Sequence, residues 1–133
     1  MVVESKSLTF HTGGEGELLD LTERVQSLLD NSAVKDGVIF LFVQGSTGAL
    51  TTMEYEPGLV RDFPRVLDRL VPGNAQYEHE RLWHDGNGHS HVRASLIGPD
   101  LFVPFREKRL VLGSKSSSLS WTLDRETVWQ AFS

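Results

Sequence analysis

A chain of 133 residues, 39% of them hydrophobic and 23% charged, is sized for one globular domain and is too apolar to stay disordered. Its formal net charge of -5 gives no basic footprint for nucleic acid, and the absence of cysteine excludes disulfides, thiolate zinc sites and thiol nucleophiles. No run approaches the ~20 apolar residues of a membrane span, and the start of the chain has no signal-peptide pattern. The expected address is the cytoplasm, with no nucleic-acid and no membrane partner.

In chain order, Leu8 and Phe10 alternate with polar neighbours, which predicts a half-buried strand ended by Gly13, Gly14 and Gly16. Asp20-Leu21-Thr22-Glu23 has the spacing of a capping box, with Asp20 as N-cap, and Leu21, Val25, Leu28 and Leu29 follow on one helical face. Val38 to Val43 is a continuous apolar run, the pattern of a central strand buried on both faces. Gln44 to Gly48 turns the chain, and Ala49 to Glu54 returns as a strand. Leu59, Phe63, Val66, Leu67 and Leu70 keep helical spacing, with Pro64 expected to open the regular helix because it has no amide hydrogen to donate. Residues 72–89 show no periodicity and read as a long loop. Ser90 to Ile97 fits a short helix stopped by Gly98 and Pro99, and Leu101 to Phe105 with Leu110 to Leu112 fits a hairpin. Such interspersed elements predict an α+β fold: a single compact domain, mainly antiparallel sheet with two main helices.

Chemistry concentrates between residues 79 and 91, where His79, His84, Asp85, His89 and His91 fall with Gly86 and Gly88, which let the backbone turn sharply. Imidazoles are metal ligands and acid–base groups near neutral pH, so His79, His89 and His91 with Asp85 are candidates to hold zinc or a similar ion. The spacing matches no established zinc signature, and a solvated loop of hydrogen-bonded histidines explains it equally well. The turn at Ser46 and Thr47 offers hydroxyls and amides to a phosphate, although hairpin turns of this composition are common. Glu54, at a strand end, is a candidate ligand or general base, or simply an exposed residue.

Two long stretches, Phe42 to Pro57 and His84 to Gly98, with Leu67 to Pro72, Tyr77 and His79 between them, resemble the motifs of the YjbQ-like family, also called the secondary thiamine-phosphate synthase family. The resemblance runs from about residue 6 to Gly113. It implies a small α+β homotrimer with polar clefts near subunit boundaries and, in some members, weak joining of a pyrimidine pyrophosphate to a thiazole phosphate. Carried onto this chain, it makes Glu54, His79 and Asp85 the catalytic candidates, Ser46 and Thr47 the phosphate-binding ones, and His79, His89 and His91 the candidate ligands of a divalent ion (zinc, manganese or magnesium). The chain departs from the family in having Gly45 where many relatives carry a histidine. After Gly113 it departs again, so residues 1–113 read as the YjbQ-like domain and 114–133 as a divergent tail.

A reading-frame shift would produce such a tail: suitable codons for Ser114 to Thr122, read two bases on, spell an apolar strand. Sequencing the gene tests this, and other serine codons there would end the idea. As written, the tail fits a short helix with Val128 and Phe132 on one face and Asp124 as its cap. Two functions follow from the whole reading. One is a metal-assisted enzyme acting on a small phosphorylated substrate; the other is a trimeric module that binds a small anionic metabolite without turnover.

Overall fold

The computed structural model describes residues 2–113, and the backbone of 116–122 and 127–132. Its strands are β1 (Ser5–Phe10), β2 (Glu17–Asp20), β3 (Gly37–Val43), β4 (Gly48–Glu54), β5 (Asp100–Arg106), β6 (Arg109–Leu110), β7 (Ser116–Thr122) and β8 (Thr127–Phe132). The helices are α1 (Thr22–Asp30), α2 (Pro57–Leu70), α3 (Glu78–Trp83) and α4 (Gly88–Ile97). They accompany a five-stranded sheet ordered β1-β8-β3-β5-β6 and a three-stranded sheet ordered β2-β7-β4. Every described strand pair is antiparallel. The α+β reading holds, with α1 and α2 joined by the short α3 and by α4, which is as long as α1.

The apolar pattern places the helices. Leu21, Val25 and Leu29 pack with Ile39, Leu41, Val43, Leu50 and Phe105, so α1 lies against the larger sheet. Leu67 of α2 and Ala94 of α4 meet Leu18, with Met53, Val60, Phe63 and Ile97 around them. Two backbone bonds seat the end of α4: Val43 N–H donates to Pro99 O (2.8 Å) and Leu50 N–H to Gly98 O (3.0 Å).

Several local expectations are corrected. Asp20 does not close a capping box with Glu23; its Oδ1 accepts from the amide (2.9 Å) and hydroxyl (2.6 Å) of Thr22, and α1 begins one residue later than a box would set it. β3 is buried on one face only, since Ile39, Leu41 and Val43 are buried while Phe40 and Phe42 are partly exposed. The unexpected β2 holds Leu18 and Leu19 next to the glycine loop. Val66 and Leu70 keep helical spacing but face outward. In the tail, Thr127–Phe132 is a strand and not a helix, while the proposed cap Asp124, like Ser114 and Lys115, lies outside the described residues.

α2 also starts earlier than expected, at Pro57, with Pro64 inside it. The start is set by Glu56, whose carboxylate accepts from the amides of Gly58 (2.6 Å) and Leu59. These two amides hold its carboxyl below the ordinary value of 4.5. A lowered carboxyl stabilises the fold above its unfolded pKa and loses that contribution as pH falls through the lowered one. Glu56→Gln should therefore melt below wild type at neutral pH, with the difference narrowing as the pH drops under 4.5. Melting curves against pH check this, and a gap that widens in acid would contradict it.

Candidate functional site

The stretch expected to be a loop holds α3 and a tight turn, after which the expected helix at Ser90–Ile97 begins two residues early as α4. Glu80 of α3 makes that turn: its carboxylate accepts from the amides of Gly86 and Gly88, each at 2.6 Å. Gly86 (φ 74°) and His84 (φ 54°) take left-handed backbone, so the chain reverses within a few residues. The Tyr77 hydroxyl donates to Pro72 O at 2.7 Å and ties the start of α3 to the end of α2. A Cβ on Gly88 would lie 2.8 Å from Tyr77 Cβ and 2.9 Å from Glu80 Oε1, so only glycine allows α3 and α4 to close here. Gly88→Ala should cost about 1–3 kcal/mol of stability through this overpacking. Urea denaturation would measure it, and a variant as stable as wild type would refute the close-approach reading.

Helix geometry then sorts the histidines. His89 and His91 are two residues apart on α4, which rotates them about 200° from one another. His91 turns outward and meets His79, with ring centroids 4.4 Å apart. His79 Nε2 lies 3.4 Å from Asp85 Oδ1, a charge-pair distance. The alignment is too poor for a hydrogen bond, and this nitrogen is buried without a hydrogen-bond partner. His79, Asp85 and His91 thus lie together.

His89 turns inward, 5% exposed, and its Nε2 bonds Glu15 Oε1 of the glycine loop before β2. One helical turn on, Arg93 is 3% exposed on the same face. Its Nε and NH2 nitrogens donate to Val71 O at 2.9 and 2.7 Å, NH2 also reaches Asp68 Oδ1 at 2.8 Å, and NH1 lies 3.8 Å from Glu15 Oε1. Glu15 and Arg93 were not singled out in the sequence. The available signal was Arg93 standing four residues after His89, which puts both on one helix face.

The remaining candidates lie elsewhere. His84 is exposed at the end of α3, and Glu54 is exposed at the end of β4. Ser46 and Thr47 sit in the β3–β4 turn, whose flanks bond to Pro99 and Gly98 at the C-terminal end of α4. His89 and His91 lie near its other end, about 10–14 Å of helix away. A divalent ion fits only in part. His79 Nε2, which makes no hydrogen bond and lies beside Asp85 and His91, suits one. Yet among the described residues no three His, Cys, Asp or Glu side chains are placed to hold a metal. His89, engaged by Glu15 on the inward face, does not join the pair as expected.

Residues 6–130 match the family model described as UPF0047 protein YjbQ-like. The chain belongs to this family. A UPF0047 protein of Methanothermobacter thermautotrophicus is 33% identical over 124 residues, covering 93% of this chain and 85% of the relative. One from Archaeoglobus fulgidus is 33% identical over 107 residues, covering 80% and 81%. Among solved structures, a YbjQ-like protein of unknown function from Sulfolobus solfataricus superposes with a TM-score of 0.91 at 27% identity, over 98% of this chain and 95% of that one. The YjbQ-like match thus takes in β8 nearly to its end as well as the α3–α4 cluster. No helix among the described residues is long and apolar enough to cross a membrane.

Proposed function

We propose that this YjbQ-like protein is an enzyme acting on a small phosphorylated substrate at the His79–Asp85–His91 cluster. The family resemblance supports weak transfer of the thiamine-phosphate-synthase type. The observation that carries the reading is His79 Nε2, buried and without a hydrogen-bond partner. Buried polar atoms almost always find partners, so an orphan in a cluster of titratable groups marks a place for a ligand. In this reading His79 exchanges a proton with the substrate, Asp85 steadies the charged imidazole, and His91 flanks the site. Glu54 stays a candidate base on β4, and Ser46 and Thr47 stay candidates for a distal phosphate.

A divalent ion (zinc, manganese or magnesium) would be held by His79 and His91 with a further donor. When bound it would neutralise charge on a phosphate or pyrophosphate group. A homotrimer is the assembly we propose, and one neighbour could supply that donor. In support, Phe102 is 64% exposed beside the partly exposed Phe40, with ring centroids 4.7 Å apart. Elemental analysis of untagged wild type and of a His79→Ala/His91→Ala variant tests the metal. Near-stoichiometric ion in the wild type alone is expected. No ion, even after incubation with zinc and manganese, would remove metal assistance.

The alternative is a non-catalytic trimeric module for a small anionic metabolite. It is favoured by the second polar group, Arg93 with His89, which is built to hold negative charge. Such a module would show a ligand-induced rise in melting temperature without product.

A further inference from the structure

We infer that Arg93 and His89 form a binding subsite for a phosphate group, which this chain's own Glu15 fills in the structure. The inference goes beyond the catalytic reading and does not depend on it, since neither residue belongs to the His79 cluster.

The subsite is built and not incidental. His89 and Arg93 are 5% and 3% exposed, and both turn a nitrogen to the same carboxylate oxygen. Arg93 is held from behind: Val71 O and Asp68 take its Nε and NH2 nitrogens, which leaves NH1 directed at Glu15. Tyr77 flanks the imidazole with ring centroids 6.3 Å apart, and Gly73 adds no side chain in front of it, since a Cβ there would lie 3.5 Å from Nε2.

Glu15 is an imperfect occupant. Its oxygen serves His89, while Arg93 NH1 stays 3.8 Å away, beyond hydrogen-bonding distance. A phosphate has more oxygens in a tetrahedral array and could reach both nitrogens at once, with more charge to offer. Glu15 is also the half of the contact that can leave. Its side chain is 49% exposed, and it sits between Gly14 and Gly16, the latter at φ 75°. The buried half, on α4, is fixed by the core, so removal of the carboxylate opens the subsite without dismantling it.

Calorimetric titration of the full chain with inorganic phosphate and with acetate tests the inference. Removing a built-in competitor raises apparent affinity by the inverse of the open fraction, so Glu15→Ala should bind phosphate at least ~10-fold more tightly than wild type. Glu15→Gln, which keeps the length of the side chain and removes its charge, should shift in the same direction. The gain should persist in Glu15→Ala/His79→Ala and disappear in Glu15→Ala/His89→Gln, which separates this subsite from the catalytic cluster. Equal phosphate affinity in wild type and Glu15→Ala would overturn the inference. So would a gain that survives loss of His89, a gain that vanishes with His79, or acetate gaining as much as phosphate.

Discussion

Arg93→Ala should lower the melting temperature by about 10 °C, the largest stability loss expected for a polar substitution in this chain. The guanidinium donates twice to Val71 O, at 2.9 and 2.7 Å, and so fastens the end of α2 to α4. Removing it leaves that carbonyl without its partners next to a buried side chain, a cost of about 1–3 kcal/mol. The lost packing of a nearly inaccessible side chain brings the total to about 2–4 kcal/mol. Asp68 adds little to this sum, because its side chain is largely solvated and the pair is screened. Arg93→Lys should fall between, since an ammonium lacks the planar fork that reaches Val71 and Asp68 together. Thermal denaturation measures both, and a shift under ~2 °C for Arg93→Ala would mean that the α2–α4 tie carries little of the stability.

His79→Ala should act in the opposite way, with a large loss of turnover and almost no loss of fold. Removing a positioned acid–base group lowers rates by about 10²–10⁴-fold. The same substitution removes no hydrogen bond at Nε2, because that atom makes none. A melting temperature near that of wild type together with lost activity would separate a catalytic role from a structural one. Full activity in His79→Ala would move the chemistry elsewhere, with Glu54 the next residue to test.

Much of the fold could be read from local pattern. β1, β3 and α1 follow from alternation, a continuous apolar run and an apolar stripe, and all three appear in the structure. The hairpin β5–β6 was also legible, with Glu107 and Lys108 in left-handed conformation at its turn. α3 was missed because six residues are too few to show a period, and its order comes from Glu80 binding the amides of the next turn. β7 was missed because Ser116 to Ser118 have no alternation, and β8 because its place between β1 and β3 depends on partners far away in sequence.

The site divides in the same manner. His79, Asp85 and His91 stood out by residue type, and the structure gathers them. The spacing of His89 and His91 already set them on opposite faces, but only α4, which turns them about 200° apart, shows that His89 is the inward one. Its partner Glu15 lies 74 positions away, a separation no local pattern encodes. Arg93 was hidden for a related reason: a charged residue on a short helix is usually solvated, and only the fold reveals that this one is buried.

The most direct test of the proposed function is product release from untagged wild-type protein, loaded with zinc or manganese. It would be offered a panel of phosphorylated and pyrophosphorylated metabolites, with release of phosphate and pyrophosphate followed. Turnover of at least one compound above the protein-free rate is expected, lost in His79→Ala while the melting temperature is kept. Saturable binding of the same compounds with no product from any of them would contradict it and leave the binding module as the function.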